Sequence, residues 1–585
     1  MRLCVSVKTR AFASASAIVL LALGASQGAI AQAVTVPGQS RQDIDPASRT
    51  PALQPPLIDP ATPTQAQACP FAGKGEVTLT RILVNGATLV PTSEIRASVA
   101  DLTGSKRDLD VLCVARDRVA AVYARHGEAL VRVDLPEQRI ADGVLTLTVT
   151  EGRVVDTTVN RAEALGPATT QAKAYLGQLN NGAATSWGDV ERAFLLTQEI
   201  PGVEAGFSIR RADASGPDAL SAVVTFAPRR AVDISVTGHN LGSKEIGREG
   251  GSVRVDLNSF TPLAERTSLI VSGSHNWGQR VFQLVEEVRI GGSGLTLLGD
   301  LAYGKTEPKG ALKPLAIEGE SLVGRIGARY PLVRRRSSAI DVAGRFELIG
   351  QENALGFLKP IGGDEITLFD EDLRVLAGEI SGRWTPTASR DLRLGASIEL
   401  RKGIDGLGAS DRDDEFLSRP DGRPDFTAIR GSASARKDFR AGPVAPFVSA
   451  AFSGQWAPHG LPAYEEFQVG NYTIGRGYDP GAASGDRAVG VQLEAGFDAP
   501  LAGANSLLGN SAIGLFGFYD AARLWNEDPL SYDKSIASVG AGVRLRARRA
   551  QLSLTYAMPQ KAALPGGPKP DDRLLLSLTT NFSIR

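Results

Sequence analysis

The segment 474–478, with the sequence IGRGY, carries the residue types most suggestive of a site. Together with Gly481, its glycines follow the pattern G-x-G-x-x-x-G, which is one residue too long for a dinucleotide-binding loop, and no strand–helix–strand unit surrounds it. The glycines on either side of Arg476 instead allow its backbone to approach another surface closely. Because a buried guanidinium needs a carboxylate partner, Asp520 in the segment FGFYD is its expected counterpart.

Other residue types that do chemistry are sparse. The GGSG at 291–294 is a turn between strands rather than a nucleophile elbow. The four histidines fall in no H-E-x-x-H pattern; they are His126, His239, His275 and His459. The 64 basic and 64 acidic residues balance, which argues against nucleic acid as a partner. The sequence therefore predicts no catalytic residue, no metal and no cofactor, and a protein that is not an enzyme.

The elements that must position the IGRGY segment begin after a targeting sequence. Three basic residues lie within the first ten, an apolar stretch follows over 11–25, and the triplet AIA at 29–31 has the small-x-small pattern of a cleavage site. We expect a signal peptide at 1–31; a buried N-terminal helix is the alternative. Later in the chain no run of about 18 apolar residues predicts a membrane-spanning helix, which leaves a soluble secreted protein and an outer-membrane β-barrel open.

Two regions separate the targeting sequence from the second half of the chain. Residues 32–74 are rich in Pro, Ser, Thr, Gln and Ala, and we expect a linker in which the polar segment 40–44 allows one helical turn or two. Over 75–230, strand and helix patterns follow each other in an order that repeats, β-α-α-β-β, with a period of roughly 77 residues. This predicts two small domains, at 75–152 and 153–230.

Residues 231–585 nearly lose the helical signal. Apolar and polar residues alternate in about sixteen segments, separated by Gly, Asp, Pro and Ser clusters. Over 252–260, for example, three aliphatic residues alternate with Arg254, Asp256 and Asn258. A water-filled lumen tolerates such charges on one face, whereas the hydrocarbon of a bilayer does not. The pattern favours a transmembrane β-barrel of about 16 antiparallel strands; a soluble β-sandwich or β-helix is the alternative. The longest late break between strands is 458–487.

With these elements in place, residues 75–585 resemble the outer-membrane transporters of two-partner secretion, the haemolysin and filamentous-haemagglutinin secretion/activation proteins. One motif is the [VI]-R-G-[YF] tip of the loop after the eleventh barrel strand. Its counterparts are Gly475, Arg476, Gly477 and Tyr478. Gly475 departs from the family, which usually has Val or Ile there. The other motif is F-x-D on the thirteenth strand, matched by Phe518, Tyr519 and Asp520.

The resemblance implies a fold and a function. The fold is two periplasmic POTRA domains followed by a barrel whose lumen holds the loop 458–487 and a short N-terminal plug helix, for which 40–44 is the available segment. The implied function is a pore in the outer membrane of a Gram-negative bacterium, which recognises a secreted exoprotein with an N-terminal secretion domain and moves it to the cell surface without ATP. Its partners would be that exoprotein and outer-membrane lipid. An assembly insertase of the same superfamily and a soluble secreted β-rich enzyme remain as alternatives.

Two pairings are expected within this framework. Strand alternation places Asp520 and Phe518 on the lumenal face, so we expect a salt bridge from Asp520 to Arg476; the alternative is a solvated Arg476 and an Asp520 that pairs with Arg544 or Arg546. Cysteines form the second pair. Cys69 ends the linker, Cys113 lies in the first repeat, and the remaining cysteine leaves with the signal. We expect a Cys69–Cys113 disulfide in the oxidising periplasm; two free buried thiols are the alternative.

Overall fold

The computed structural model describes the chain from residue 40 onwards in several ranges. These are 40–46, 69–71, 73–212, 216–386, 389, 391–439, 442–501, 511–527 and 532–584. The expected signal peptide at 1–31 and most of the expected linker lie outside them. Within these ranges, no helix is long and apolar enough to cross a membrane. The first element is one helical turn, α1 (Arg41–Ile44), which begins with a capping box between Ser40 and Asp43.

A small α/β unit follows the linker. Its elements are β1 (Glu76–Thr78), β2 (Arg81–Asn85), α2 (Thr92–Val99), β3 (Lys106–Asp108), α3 (Val111–Arg125), β4 (Val131–Asp134) and β5 (Val144–Glu151). The main sheet has the order β2-β5-β4, with β2 parallel and β4 antiparallel to β5. Leu112, Val119 and Val122 recur at helical spacing on α3 and are buried against this sheet. The pairing of β1 with β3 was not predicted, because the sequence KRD of β3 has no apolar alternation.

A second unit repeats the same topology. Its elements are β6 (Arg153–Asn160), α4 (Thr169–Gly177), α5 (Trp187–Gln198), β7 (Ala205–Arg211) and β8 (Ala219–Phe226). The sheet order is β6-β8-β7, again with the first strand parallel and the other antiparallel to the central one. The two units therefore share one β-α-α-β-β plan, as the repeated sequence pattern predicted.

The remainder of the chain is a closed antiparallel barrel of sixteen strands. Its first eleven strands are β9 (Val232–His239), β10 (Gly250–Asn258), β11 (Arg266–Ser274), β12 (Gln279–Ile290), β13 (Leu295–Thr306), β14 (Ile317–Arg334), β15 (Ser338–Leu355), β16 (Ile366–Trp384), β17 (Leu392–Gly403), β18 (Thr427–Asp438) and β19 (Ala445–Trp456). A hairpin of β20 (Phe467–Val469) and β21 (Ala483–Gly485) then interrupts the ring. The last five strands are β22 (Arg487–Pro500), β23 (Ala512–Trp525), β24 (Lys534–Arg546), β25 (Ala550–Pro559) and β26 (Arg573–Ile584).

The barrel closes where β26 pairs with β9, with Ser577 opposite His239 and Ile584 opposite Val232. Large apolar side chains face outwards; Ile326 is 67% exposed and Leu574 is 58% exposed. Outward apolar and inward polar residues alternate because successive side chains of a strand point to opposite faces. The predicted fold class, a barrel of about sixteen strands after two small α/β domains, is confirmed.

The second α/β unit is docked on the turns at one end of the barrel. Ala264, in the turn between β10 and β11, is fully buried in the apolar core of that unit. Arg334 at the end of β14 contacts Glu199, with Nε 2.8 Å from the carboxylate, and Arg192 donates a hydrogen bond of 2.8 Å to the carbonyl of Ser293. The docking fixes this unit beneath the first strands of the barrel.

A disulfide joins the linker to the first α/β unit. Cys69 and Cys113 are bonded across a sequence separation of 44 residues, with their Cα atoms 5.8 Å apart. Cys113 lies on α3 and is buried.

We predict that the mature protein, unfolded without reductant, has no titratable thiol. Reduction should make the 75–152 region easier to digest with protease, because a loop of this length contributes about 4 kcal/mol on the chain-entropy model. The Cys69→Ser/Cys113→Ser variant should resemble the reduced protein and should not respond to reductant. Two titratable thiols in the unreduced protein would contradict the pairing.

Glu151, at the end of β5, ties that strand to the segment before α2. Its buried carboxylate accepts hydrogen bonds from the backbone N–H groups of Thr88 at 2.7 Å and Leu89 at 2.8 Å, and from the Tyr123 hydroxyl at 2.8 Å. Burial acts to raise the pKa of Glu151, but these hydrogen bonds outweigh it and lower the pKa below 4.5. The ionised carboxylate therefore stabilises the fold above the ordinary glutamate pKa.

This stabilisation should be lost as the pH falls from 4.5 through the lower pKa of the folded state. We predict that resistance of the 75–152 region to protease decreases over this window in the native protein, whereas Glu151→Gln is weakened already at neutral pH and changes less with pH. The exposed Glu137→Gln should behave as the native protein does. An unchanged pH profile in Glu151→Gln would refute the role of the carboxylate.

Candidate functional site in the barrel lumen

The loop between β19 and β22 turns back into the barrel instead of extending from it. It corresponds to the break predicted at 458–487, except that Arg487 already belongs to β22. Tyr464 and Tyr478 in this loop are almost completely buried. The loop is held at three places: its tip and its stem contact the inner wall, and its base contacts the connection between β17 and β18.

At the tip, Arg476 is bound by two carboxylates of the wall. Its Nε and Nη2 atoms donate to Asp520 Oδ2 and Oδ1 at 2.9 and 2.7 Å, and its backbone N–H donates to Oδ2 at 3.0 Å. Its Nη1 atom donates to Glu494 Oε1 at 2.5 Å. The guanidinium also stacks on the ring of Phe518, 3.7 Å from its centre. The Asp520 carboxylate is fully buried, so Arg476 supplies the charge that such a group needs.

The glycines of the tip allow this close approach. Gly475 has a φ of +107°, and a Cβ placed there would lie 2.3 Å from Ile536 Cδ1. Ile536 thus fills space next to the residue where the family usually has a β-branched side chain. A Cβ on Gly477 would lie 2.8 Å from the backbone nitrogen of Pro559. The hydroxyl of Tyr478 lies 2.9 Å and 2.8 Å from the carbonyl oxygens of Ala537 and Lys561.

The wall arginines expected as alternative partners of Asp520 bind elsewhere. Arg544 pairs with Glu494 at 2.8 and 2.9 Å, and Arg546 pairs with Asp498 at 3.1 Å. Glu494 therefore bridges Arg476 and Arg544, a role that sequence reasoning missed. The alternation along β22 places Glu494 on the inner face, and this signal was available before the structure was known.

The stem of the loop is held by a second set of charges that the sequence analysis did not identify. Arg401 on β17, which is fully buried, lies between Glu465 of the loop and Glu347 of β15, with 2.7 Å to each carboxylate. Arg430 of β18 is 2.9 Å from Glu465 as well. The two adjacent glutamates at 465–466, in a loop expected inside a lumen, were the only available signal.

Glu466 belongs to the base of the loop. Arg419, which lies between β17 and β18, donates to Glu466 Oε1 at 2.9 Å and to Asp486 Oδ1 at 2.6 Å. The tip and stem are thus attached to the wall, and the base to the connection between β17 and β18, in each case by an arginine with two or more carboxylates. Among the described residues, no group of three or more His, Cys, Asp or Glu is arranged to hold a metal ion.

The helical turn α1 also lies in the lumen. Ile44 is buried in an apolar cluster with wall residues and with Tyr464 of the loop. Asp45 accepts a hydrogen bond of 2.9 Å from Arg325 Nη1, and Arg325 also contacts the Tyr464 hydroxyl at 3.3 Å. The turn expected at 40–44 therefore occupies the pore next to the loop.

These features define a class of protein: an outer-membrane β-barrel with a loop folded into its lumen and two periplasmic domains before it. The family model described as Haemolysin secretion/activation protein ShlB/FhaC/HecB matches residues 221–545, and the POTRA domain, ShlB-type, matches residues 77–152. The first match spans more than half of the chain, and the protein therefore belongs to the haemolysin secretion/activation family. The barrel lies in the outer membrane and the POTRA domains lie in the periplasm.

Named relatives agree with this assignment. The outer membrane transporter CdiB of Escherichia coli O6:K15:H31 (strain 536 / UPEC) is 27% identical over 199 residues, which cover 34% of this chain and 32% of the relative. The matched segment thus spans about a third of that protein. The structure of CdiB from Escherichia coli has a TM-score of 0.73 at 18% identity, covering 93% of this chain and 96% of that one. CdiB from Acinetobacter baumannii has a TM-score of 0.64 at 14% identity, with 91% and 93% covered. At these identities the two structures show a shared fold.

We predict that Arg476→Ala detaches the tip of the loop while the barrel still inserts. The substitution leaves the fully buried Asp520 carboxylate without its guanidinium, and loss of one partner of such a pair costs on the order of 3–5 kcal/mol. Protease accessibility of the 457–486 loop in intact cells should therefore increase. Arg523→Ala is the matched control, because the Arg523–Asp533 pair is more than half exposed and should contribute at most about 1 kcal/mol.

The exchanged pair, Arg476→Asp with Asp520→Arg, should recover part of the attachment. Heat-modifiable migration on gels checks that each variant inserts. If the loop of the Arg476→Ala variant is as protected from protease as the native loop, the pair does not hold the tip.

Proposed function

We propose that this protein is a pore that moves a partner exoprotein across the outer membrane to the cell surface. The observation that carries the proposal is the way the lumen is filled. The loop and α1 are attached to the wall largely through ion pairs, and they share one cluster in which Glu347 contacts both Arg401 and Arg41. Two apolar clusters, around Ile44 and around Ile474, complete the filling. Charged side chains that separate inside a water-filled lumen can be rehydrated or can pair with polar groups of a passing chain, so that neither partner is left buried and unpaired. A pore whose lumenal loop and helix can be displaced is suited to the passage of a polypeptide.

The remaining inner wall supports the same function. Small hydroxyl side chains face the lumen across neighbouring strands, with Ser397 and Ser432 2.7 Å apart and Thr237 and Thr579 3.0 Å apart at their oxygens. Such a surface offers an extended polypeptide exchangeable hydrogen bonds and little apolar area to adhere to.

Recognition is assigned to the POTRA domains. In the described part of these domains, β4 and β7 each pair with only one neighbour, so each forms the edge of a three-stranded sheet. An extended segment of the exoprotein can add to such an edge through main-chain hydrogen bonds. The contact between Ala264 and the core of the second POTRA domain then holds the edge strand of that domain, β7, at a fixed position beneath the pore.

The proposed mechanism involves no enzymatic step and no ATP. The exoprotein would thread the lumen unfolded and fold outside, so that folding opposes its return. Membership of the secretion/activation family argues against the two alternatives, an assembly insertase and a soluble secreted enzyme.

Deletion of residues 75–230 tests this division of roles. We predict a barrel that is still inserted and heat-modifiable, because ring closure satisfies its backbone hydrogen bonds without the periplasmic part, but no exoprotein at the cell surface. The measurement is the amount of exoprotein in the medium and on the surface, compared with that in the periplasm. Undiminished secretion by the truncated protein would refute the assignment of recognition to these domains.

A further inference from the structure

The lumen contains a site built around residues 40–46 that has three chemically different parts. The middle part is an apolar socket for Ile44, which is 1% exposed. Its wall includes Ala302, Val323 and Ile349. Gly304 on β13 borders the socket, since a Cβ at that glycine would lie 3.5 Å from Ile44 Cγ1, an ordinary van der Waals contact that a larger side chain would exceed. The socket therefore fits one aliphatic side chain.

A cationic part receives the residue after the isoleucine. Arg325 Nη1 and Gln283 Nε2 each donate to the Asp45 carboxylate at 2.9 Å. The Arg325 side chain is more than nine-tenths buried, and it is held in place by Asp300 at 2.9 Å. A neutral or basic residue at position 45 would leave a buried arginine less well compensated.

An anionic part receives the residue three positions before the isoleucine. Arg41 Nη2 lies 3.8 Å from Glu347 and 3.9 Å from Glu399. Glu347 is directly opposite Arg325 in the register of β14 and β15, yet its hydrogen bonds run to Arg345 and Arg401. The anionic part contains four carboxylates, of Glu347, Glu379, Glu399 and Glu465, and three guanidiniums, of Arg345, Arg401 and Arg430. One basic residue of the peptide therefore balances the charge of this part, and Glu347 makes no direct hydrogen bond to Arg325.

This arrangement selects the order of charges along a peptide. A segment with a basic residue, two further residues, an aliphatic residue and an acidic residue meets three complementary surfaces, whereas the exchanged order places like charges together at both ends. A segment that only blocks the pore sterically needs sufficient volume but no particular order of charges. Seven residues make few contacts, so the attachment in cis depends on the high effective concentration of a tethered segment.

We propose that this lumenal site is a selective receptor for a short peptide of that pattern, which residues 40–46 occupy in cis and which a segment of the exoprotein with the same charge order occupies during transport. The inference rests on the proposed function for the identity of the partner. The receptor itself is a property of the inner wall and can be tested without the exoprotein.

The experiment uses the full-length protein with Ile44→Ser and Asp45→Ser, which empties the site without shortening the chain. In planar bilayers this variant should conduct more than the native protein. The synthetic peptide SRQDIDP, residues 40–46, should lower the conductance in a saturable manner. The peptide SDQDIRP has the same composition, with the arginine and the last aspartate exchanged. We expect that it must be present at a concentration at least about tenfold higher to block the pore equally, because a charge order that fails at two positions lowers the affinity by more than a factor of about ten.

A second variant tests the socket. Gly304→Leu, added to the emptied protein, should abolish the block by SRQDIDP because the leucine occupies the space of Ile44, while Gly304→Ala should retain most of it. Equal block by the two peptides, or block that persists in Gly304→Leu, would overturn the proposal and leave only a steric stopper.

Secretion by the native protein, measured beside the peptide experiment, separates this proposal from the function on which it rests. If the two peptides block equally and the protein secretes, the receptor is refuted and the transport function is not. If SRQDIDP blocks at lower concentration than SDQDIRP but the protein exports no exoprotein, the transport function is refuted and the receptor is supported.

Discussion

The barrel and everything inside it depend on one constraint: a strand in a bilayer has no water to satisfy its backbone, so its hydrogen bonds must be made within the protein. Sixteen strands meet this requirement by closing on themselves through the pairing of β26 with β9. Closure produces an outer face for apolar side chains and an enclosed lumen for polar ones. The loop, its partners and α1 all lie in that lumen.

The lumen in turn determines what holds its contents. Its wall carries charged side chains, and these are costly to bury unless each has a partner. The loop supplies Arg476 and Glu465 to two clusters of the wall, and Glu466 pairs with Arg419 of the β17–β18 connection. Arg41 of α1 joins the cluster of Glu465 through Glu347, and Asp45, the residue after α1, pairs with Arg325. Among the described residues, the interior of the barrel therefore combines ion pairs with apolar clusters around Ile44, around Ile474 and around Phe516. Such an interior is specific about position, and it can be released by exchanging charges rather than by unfolding the wall.

The approximate number of strands and the two β-α-α-β-β units were predictable from the sequence because each rests on local periodicity. Alternation also assigned Asp520 and Phe518 to the inner face. The distances of Arg476 from Asp520 agree with the pairing expected from the motif. Glu494 and Arg401 were not foreseen, because an inward charge on a strand can meet any of several partners across the lumen. Arg419 was not foreseen because it lies in a connection between strands, where alternation assigns no face.

The sequence by itself determined the class of fold and the faces of its strands, since both follow from residue spacing along one segment. Only the tertiary structure decided which carboxylate binds which arginine, where Ile44 is buried, and that Arg325 and Glu347 stand side by side. These facts join residues far apart in the chain, such as Asp45 and Arg325, and depend on the register and curvature of the closed ring. Local periodicity contains no information about distances across a lumen, because those distances are set when the last strand pairs with the first.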